Sequence, residues 1–293
     1  MEPERPVSFD GLLPPAMADR AEAVGVAKAS MAPLRVASLA VLGGAFIALG
    51  AIFSTSVTAG GGMAPGVSRL LGGLAFSLGL ILVVVGGAEL FTGNTLLVMA
   101  AANRRIAVRA LLRNWAIVYV GNFVGAFATA VAVVWSGQYR FGGGAMGTRA
   151  LDIATAKSSL GAREALVLGV LANALVCLAV WMSFSARSTT DRVLAIVPPI
   201  AAFVAAGFEH SVANMYFLPV GLLVKAWAPP SFWADTATSA ADYEPLSWSA
   251  FFVDNLLPVT IGNIIGGGVL VGLVYWFVYL RTPTAGGDPR PTP

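Results

Sequence analysis

The chain has 293 residues, of which 57% are hydrophobic and 11% are charged, and its mean hydropathy is +0.78. A typical soluble domain carries about 25% charged residues, so this composition excludes a water-soluble globule. The apolar residues lie in long stretches, and about 20 apolar residues make a helix that crosses the hydrocarbon layer of a bilayer. We therefore expect an integral membrane protein.

Several other classes of protein are also excluded by composition and motifs. The one cysteine, Cys177, allows neither an intrachain disulfide nor a thiolate cluster for a metal. The net charge of +3 comes from basic residues scattered between the apolar stretches, which is not the patch of a nucleic-acid-binding protein. The chain also lacks metal-ligand spacings, a nucleophile elbow and a dinucleotide fingerprint. We expect no cofactor, no metal and no enzymatic activity.

Residues 1–35 are predicted to stay outside the membrane as a cytoplasmic N-terminal segment. They carry charges and prolines and lack the apolar core of a cleavable signal peptide. The part from Phe9 to Ser30 has alanines, charges and few helix breakers after Pro15, which favours an amphipathic helix. We advance the hypothesis that this helix plugs or signals at the mouth of a pore.

Six apolar runs follow, at 36–57, 68–102, 112–136, 161–186, 193–227 and 256–280. The second and fifth runs are longer than one bilayer crossing requires, and each contains a polar, glycine-containing interruption. Such an interruption predicts two half-helices joined by a loop. We expect six transmembrane helices, with the second and the fifth interrupted, and a tail at 281–293.

Orientation follows from the lysines and arginines between these runs, because cytoplasmic segments retain positive charge. Twelve of the 18 lie on the side of the two termini and six on the opposite side. This distribution predicts that both termini are cytoplasmic.

An internal repeat is the most informative feature of the sequence. Gly87-Ala-Glu89-Leu-Phe-Thr-Gly-Asn94 and Gly207-Phe-Glu209-His-Ser-Val-Ala-Asn214 share the pattern G-x-E-x-x-x-x-N, 120 residues apart. A second pair, N-x7-N-x2-G, begins at Asn114 and again 141 residues later at Asn255. Two repeats of three spans, 36–136 and 161–280, have opposite orientations because three is odd. Inverted repeats with interrupted helices are typical of a transporter or channel with its site near the midplane.

The interruptions contain the candidate site residues. His210 is the only histidine in the chain, and ionisable groups inside a membrane are costly and usually functional. Its repeat-related position is Leu90, two residues before Thr92, so the sequence predicts that Thr92 and His210 meet across the pseudo-symmetry axis and bind a small polar solute.

Glu89, Glu209, Asn94 and Asn214 are predicted to be structural at the helix breaks. We expect the two carboxylates to accept backbone N–H groups freed by the breaks, because buried carboxylates must be paired. We expect the two asparagines to cap the second half-helices through their side-chain oxygens. Apolar groups beside the interruptions, namely Phe76, Leu80 and Phe203, favour narrow constrictions.

These motifs resemble the formate/nitrite transporter family over nearly the whole chain. The resemblance is carried by Gly86-Gly-Ala-Glu-Leu-Phe-Thr92, Asn114-Trp-Ala-Ile-Val-Tyr-Val-Gly-Asn122, Asn173-Ala-Leu-Val-Cys-Leu-Ala-Val-Trp181, Gly207-Phe-Glu-His-Ser-Val-Ala-Asn-Met215 and Asp254-Asn-Leu-Leu-Pro-Val-Thr-Ile-Gly-Asn-Ile-Ile-Gly266. It implies a homopentamer in the bacterial inner membrane, with an aquaporin-like pore in each protomer that passes formate. It also implies protons and the lipid bilayer as partners and, by analogy, a cytoplasmic formate-producing enzyme.

The resemblance also implies roles for individual residues. His210 and Thr92 resemble the family's pore histidine and the threonine facing it, and Lys157 and Asn173 resemble residues that draw anions from the external side. Positions that match the apolar constrictions are Leu80, Leu90, Phe76, Phe203 and Val176. The sequence departs from some formate channels at Gly93-Asn94.

Two mechanisms and several substrates stay open at this point. Because imidazole titrates near neutral pH, His210 is a candidate protonation switch, and a weak acid could cross either neutral or as an anion. Nitrite or hydrosulfide channels of the same family are the alternative to formate. A pore for water or ammonia is disfavoured, since Asn-Pro-Ala repeats and paired histidines are absent.

Overall fold

The computed structural model describes residues 11–281, and within that range all regular elements are helices, without strands. The predicted tail from 282 and the first ten residues of the N-terminal segment lie outside the described residues. The helices are α1 (Pro14–Ser30), α2 (Pro33–Thr58), α3 (Pro65–Gly86), α4 (Phe91–Asn94), α5 (Val98–Ala102), α6 (Val108–Trp135), α7 (Ala145–Ser158), α8 (Ala162–Ser185), α9 (Thr189–Ala205), α10 (Ser211–Trp227), α11 (Pro230–Thr236) and α12 (Ala250–Leu280). A 3₁₀ turn, Thr95–Leu97, joins α4 to α5, and parts of α12 have the wider π geometry.

Five of these helices, α2, α3, α6, α8 and α12, are long and apolar enough to cross a membrane. The remaining predicted span, the fifth, is divided between α9 and α10, which have 17 residues each. Each predicted span therefore has a helical counterpart, with ends that differ by a few residues. The largest difference is in α12, which begins at Ala250 rather than at 256.

Both predicted interruptions are present, and a glycine ends the first piece at each one. Gly87 and Gly207 have φ of 81° and 76°, a left-handed conformation that costs glycine little and terminates a helix. After three further residues the chain becomes helical again, at Phe91 and at Ser211. The two glycines are 120 residues apart, so the backbone conformation repeats together with the sequence.

The predicted N-terminal helix is α1, and one side of it packs against the bundle. Buried Glu22 accepts a hydrogen bond from Asn103 and pairs with Arg105, and Arg113 donates to the carbonyl of Ala29 at 2.6 Å. Through these contacts α1 is bonded to the loop after α5 and to α6.

The same relation between helices occurs in both halves of the chain. Helix α2 packs against α6 and α3, α8 packs against α12 and α9, and α3 contacts α9 where the halves meet. At that junction the Ser77 hydroxyl lies 3.4 Å from the carbonyl oxygen of Val197, its own repeat equivalent 120 residues later. The two breaks are thereby brought to the middle of one bundle.

Candidate functional site

Thr92 and His210 meet where the two breaks face each other. The Thr92 Oγ1 and His210 Nε2 atoms are 2.9 Å apart, and the two residues are 0% and 3% exposed. They come from different repeats, since Thr92 lies in α4 and His210 directly precedes α10. The structure therefore forms the predicted pair as a direct hydrogen bond.

The other ring nitrogen of His210 caps helix α10. His210 Nδ1 accepts a hydrogen bond from the backbone N–H of Ala213 at 3.0 Å, which satisfies one of the free donors at a helix start. With Nδ1 as acceptor, the hydrogen-bond network assigns the proton of the neutral ring to Nε2. Nε2 then donates to Thr92 Oγ1, so the Thr92 hydroxyl can donate its own hydrogen bond to another acceptor.

Each break also holds a buried glutamate that is paired with a lysine from the helix preceding its repeat. Lys28 of α1 lies 3.1 Å from Glu89, and Lys157 of α7 lies 2.7 Å from Glu209. The second carboxylate oxygen of each glutamate accepts the amide of the asparagine five residues later, at 2.6 and 2.7 Å. A buried carboxylate needs both a countercharge and hydrogen bonds to be tolerated, and both breaks supply them.

These partners correct two of the predictions. The carboxylates bind side-chain ammonium and amide groups, whereas the freed N–H groups of Phe91 and Ser211 donate to the side-chain oxygens of Asn122 and Asn263, each at 2.9 Å. Asn94 and Asn214 are each the fourth residue of their helices, too far along the chain to cap the helix start. Their amides instead join the glutamates to Asn114 and Asn255. The physical reason is that α6 and α12 run alongside the breaks, so each places an asparagine side chain within hydrogen-bonding distance of a free N–H.

Two cavities adjoin the two breaks, one at each break. The α1-side cavity, about 220 Å³, is lined by residues that include Lys28, Glu89 and Asn94. The α7-side cavity, about 440 Å³, is lined by Arg69, Arg149, Asp152, Lys157, Glu209 and His210, among others. Neither lining includes Thr92.

Four of the five predicted constriction residues line these cavities. Leu80 and Leu90 line the α1-side cavity, and Phe76 and Phe203 line the α7-side cavity, where their rings pack edge to face with centroids 5.7 Å apart. Val176 is buried and lines neither cavity.

The two residues predicted to draw anions are placed differently from each other. Lys157 lines the α7-side cavity. Asn173, by contrast, is fully buried and donates to the backbone carbonyl oxygens of Thr92 and Asn263. It contacts the framework behind the site rather than a cavity, because α8 presents this position to α4 and α12.

Lys28 is a site residue that the sequence reasoning missed. It was counted only as a cytoplasmic charge, although Ala27-Lys28-Ala-Ser-Met matches Ala156-Lys157-Ser-Ser-Leu at a spacing of 129. The same spacing relates Leu39 and Leu168, whose carbonyls accept the N–H groups of Glu89 and Glu209. The repeat therefore extends into α1 and α7, and this third spacing was the available signal.

Two inverted halves whose breaks meet at a buried polar pair, with a cavity at each break, define a multi-pass membrane protein of the channel and transporter class. Within residues 11–281, no group of three or more His, Cys, Asp or Glu side chains is placed to hold a metal ion.

Comparison with known proteins identifies the family. The family model described as formate/nitrite transporter matches residues 15–277. The chain is 48% identical over 274 residues to the formate channel FocA of Escherichia coli K12, covering 93% of this chain and 96% of that one. It is 41% identical to FocA of Haemophilus influenzae, covering 91% and 94%. A solved pentameric formate channel with formate bound superposes with a TM-score of 0.81 at 46% identity, over 85% of this chain and 98% of that one. This chain belongs to the formate/nitrite transporter family, whose members named here are channels, not enzymes.

Proposed function

We propose that this protein is a formate channel of the cytoplasmic membrane, with one pore in each protomer of a homopentamer. The observation that carries the proposal is the buried Thr92–His210 hydrogen bond where the two breaks meet, each break lining a cavity that also has apolar side chains in its wall. The names of the similar proteins, including a pentameric formate channel with formate bound, support formate as the substrate.

Both termini are proposed to face the cytoplasm, so the α1-side cavity is the cytoplasmic mouth and the α7-side cavity is the external mouth. A small anion entering from outside meets three cations and two carboxylates among the lining residues. One positive charge is therefore in excess, and this favours entry of a monovalent anion. At the cytoplasmic mouth, Lys28 and Glu89 balance each other.

The apolar constrictions decide the form in which the substrate crosses. Transferring a bare carboxylate into an apolar slit is very costly, whereas the neutral acid needs only hydrogen bonds. We propose that formate crosses as formic acid, together with its proton, and that the Thr92 hydroxyl donates a hydrogen bond to a carboxyl oxygen as the acid passes.

His210 is proposed to stay neutral during this passage. Protonation of Nδ1 would turn the acceptor of the Ala213 N–H into a second donor and break the cap of α10. Loss of the Nε2 proton from the neutral ring would leave an imidazolate. His210 therefore orients Thr92, and the proton comes with the acid from the aqueous mouth.

Formate flux into proteoliposomes between pH 5 and 8 tests this mechanism, with nitrite, hydrosulfide and chloride as competitors. The variants are His210→Asn, Thr92→Val and, as a matched buried hydroxyl away from the site, Thr55→Val, whose hydroxyl bonds to Ala51 within α2. We expect both site variants to transport more slowly, while flux still rises toward acid pH in proportion to the neutral acid. Loss of the pH dependence in His210→Asn would instead establish the histidine as a protonation switch. Saturable nitrite or hydrosulfide flux without formate flux would overturn the substrate.

A further inference from the structure

The backbone carbonyl of Thr92 is held by three side-chain donors at once. The Thr95 hydroxyl donates to it at 2.7 Å, Asn173 Nδ2 at 3.3 Å and the Cys177 thiol at 3.4 Å. All four residues are 0% exposed. A carbonyl oxygen has two lone pairs, so three donors enclose it and oppose rotation of the peptide plane that carries Thr92.

These donors are also joined to the backbone around His210. Asn173 Nδ2 contacts Thr95 Oγ1 at 3.2 Å and the carbonyl oxygen of Asn263 at 2.6 Å. The Asn263 side chain in turn donates to the carbonyl of Glu209 at 3.0 Å and accepts the N–H of Ser211 at 2.9 Å. These two backbone groups flank His210, so one continuous set of hydrogen bonds joins the Thr92 peptide to the His210 peptide.

The other half of the molecule has no equivalent of this cluster. The repeat spacings place Gly44, Ala48 and Met215 where Asn173, Cys177 and Thr95 stand, and none of the three has a polar side chain. The cluster is therefore not part of the repeated framework. Gly267 leaves space for it, because a Cβ there would collide with Asn173 Nδ2, Thr95 Oγ1 and Cys177 Sγ.

We propose that Thr95 and Cys177 are positioning residues that, with Asn173, fix the Thr92 hydroxyl relative to His210 and thereby set discrimination among small anions. This inference rests on the proposed function for its transport consequences. Its structural consequence, the geometry of the Thr92–His210 hydrogen bond, does not depend on which substrate is carried.

The first test uses the fact that the chain has a single histidine. Labelling it with ¹⁵N gives one pair of imidazole resonances in the assembled protein. We expect Thr95→Val, which removes the hydroxyl and keeps the shape, to shift the Nε2 resonance. Thr95→Ser and Cys177→Ser, which keep a donor, are expected to stay near wild type, and Cys177→Ala is expected to shift it less than Thr95→Val.

The second test measures formate transport by the same variants. Losing one buried hydrogen bond corresponds to about a threefold to tenfold effect. We expect Thr95→Val to raise the apparent KM for formate and to lower the preference for formate over chloride by about this factor. Thr95→Ser is expected to restore both, and the control Thr55→Val to change neither.

The outcomes separate the two proposals. If Thr95→Val, assembled and as heat-stable as Thr95→Ser, leaves the imidazole resonance and the selectivity unchanged while Thr92→Val shifts both, the positioning role is wrong. If wild type carries no formate, the proposed function fails, and the imidazole resonance alone decides the positioning role.

Discussion

The two helix breaks share one framework and differ in the groups that they carry. Each has a left-handed glycine, a glutamate paired with a lysine, and an asparagine that accepts the first free N–H of the next helix. Only the second break carries the capping histidine, and only the first has a threonine facing it, backed by a polar cluster. The repeated residues therefore stabilise the breaks, whereas the residues that depart from the repeat form the candidate site.

The frameworks also differ in the partners of the two lysines. Lys28 shares its ammonium between Glu89 and the side-chain oxygen of Asn94, 2.8 Å away. Lys157 makes the shorter contact with Glu209, and the equivalent oxygen of Asn214 is buried without a hydrogen-bond partner among the described residues. The ammonium group of Lys28 is therefore shared between two acceptors, whereas that of Lys157 is paired with Glu209.

The largest effect is expected from removing the lysines. Lys157→Met leaves the buried Glu209 without a countercharge and is expected to cost about 3–5 kcal/mol of unfolding free energy. Lys28→Met is expected to cost less, because the Lys28 side chain is 25% exposed against 17% for Lys157 and water can replace it. Denaturant unfolding in detergent measures both. Recovery of stability in Lys157→Met combined with Glu209→Gln is the control, and equal losses in the two single variants would contradict the difference between the pairs.

A smaller and equal effect is expected from the two supporting asparagines. Asn122→Leu and Asn263→Leu each leave one backbone N–H and two carbonyls without their partner. Each is expected to cost about 3 kcal/mol, since unsatisfied buried groups cost about 1–3 kcal/mol apiece and part of this relaxes. Thermal unfolding of the two variants side by side measures the two losses of stability. A large difference between the losses would contradict the equivalence of the two halves of the framework.

The capping role of His210 is expected to have a more modest effect on stability. His210→Ala removes the acceptor of the Ala213 N–H, whereas an asparagine side chain can replace it. We therefore expect His210→Ala to be about 1 kcal/mol less stable than His210→Asn. The same unfolding assay applies, and identical stabilities would show that the cap contributes nothing.

The smallest effect concerns the helices that lead into the breaks. Helix α9 begins with a reciprocal cap between Ser188 and Asp191, whereas α3 begins without a side-chain cap. Hydrogen bonds from Ser188, through its backbone and side chain, and from the Arg187 N–H hold the pKa of Asp191 below its usual range.

This shift fixes the sign of a pH effect. The pKa of Asp191 is lower in the folded state than in the unfolded state. The ionised carboxylate therefore stabilises the folded protein above the unfolded-state pKa, and this stabilisation is lost as pH falls through the folded-state pKa. We expect wild type to exceed Asp191→Asn in thermal stability at neutral pH, with the difference vanishing in acid. A difference that grows in acid would have the wrong sign.

Much of the fold could be predicted because the bilayer imposes simple rules on sequence. Apolar runs of fixed length indicate spans, and two overlong runs with internal glycine indicated both interruptions. The pair Thr92 and His210 was predicted from the repeat together with residue type, because the repeat equivalent of His210 is Leu90 and the hydroxyl of Thr92 lies two residues further on.

The partners of these residues could not be predicted in the same way. Glu89 and Glu209 were expected to bind backbone N–H groups, but the countercharges Lys28 and Lys157 lie 61 and 52 residues away in helices outside the spans. Asn173 was expected at a mouth, but α8 turns it toward Thr92 and Asn263. Sequence spacing gives a face of a helix, whereas the neighbour of that face depends on how helices pack.

The class of protein, the six spans, the two breaks and the central pair could all be predicted, because hydropathy, glycine positions and internal repetition are read directly from the order of residues. Three features became visible in the folded chain: His210 caps α10, α1 supplies the lysine for Glu89, and Thr95, Asn173 and Cys177 converge on one carbonyl oxygen. The contacts of Lys28 with Glu89, and of Asn173 and Cys177 with Thr92, join groups far apart in the chain. Their distances depend on the packing of whole helices, which no local pattern of residues encodes.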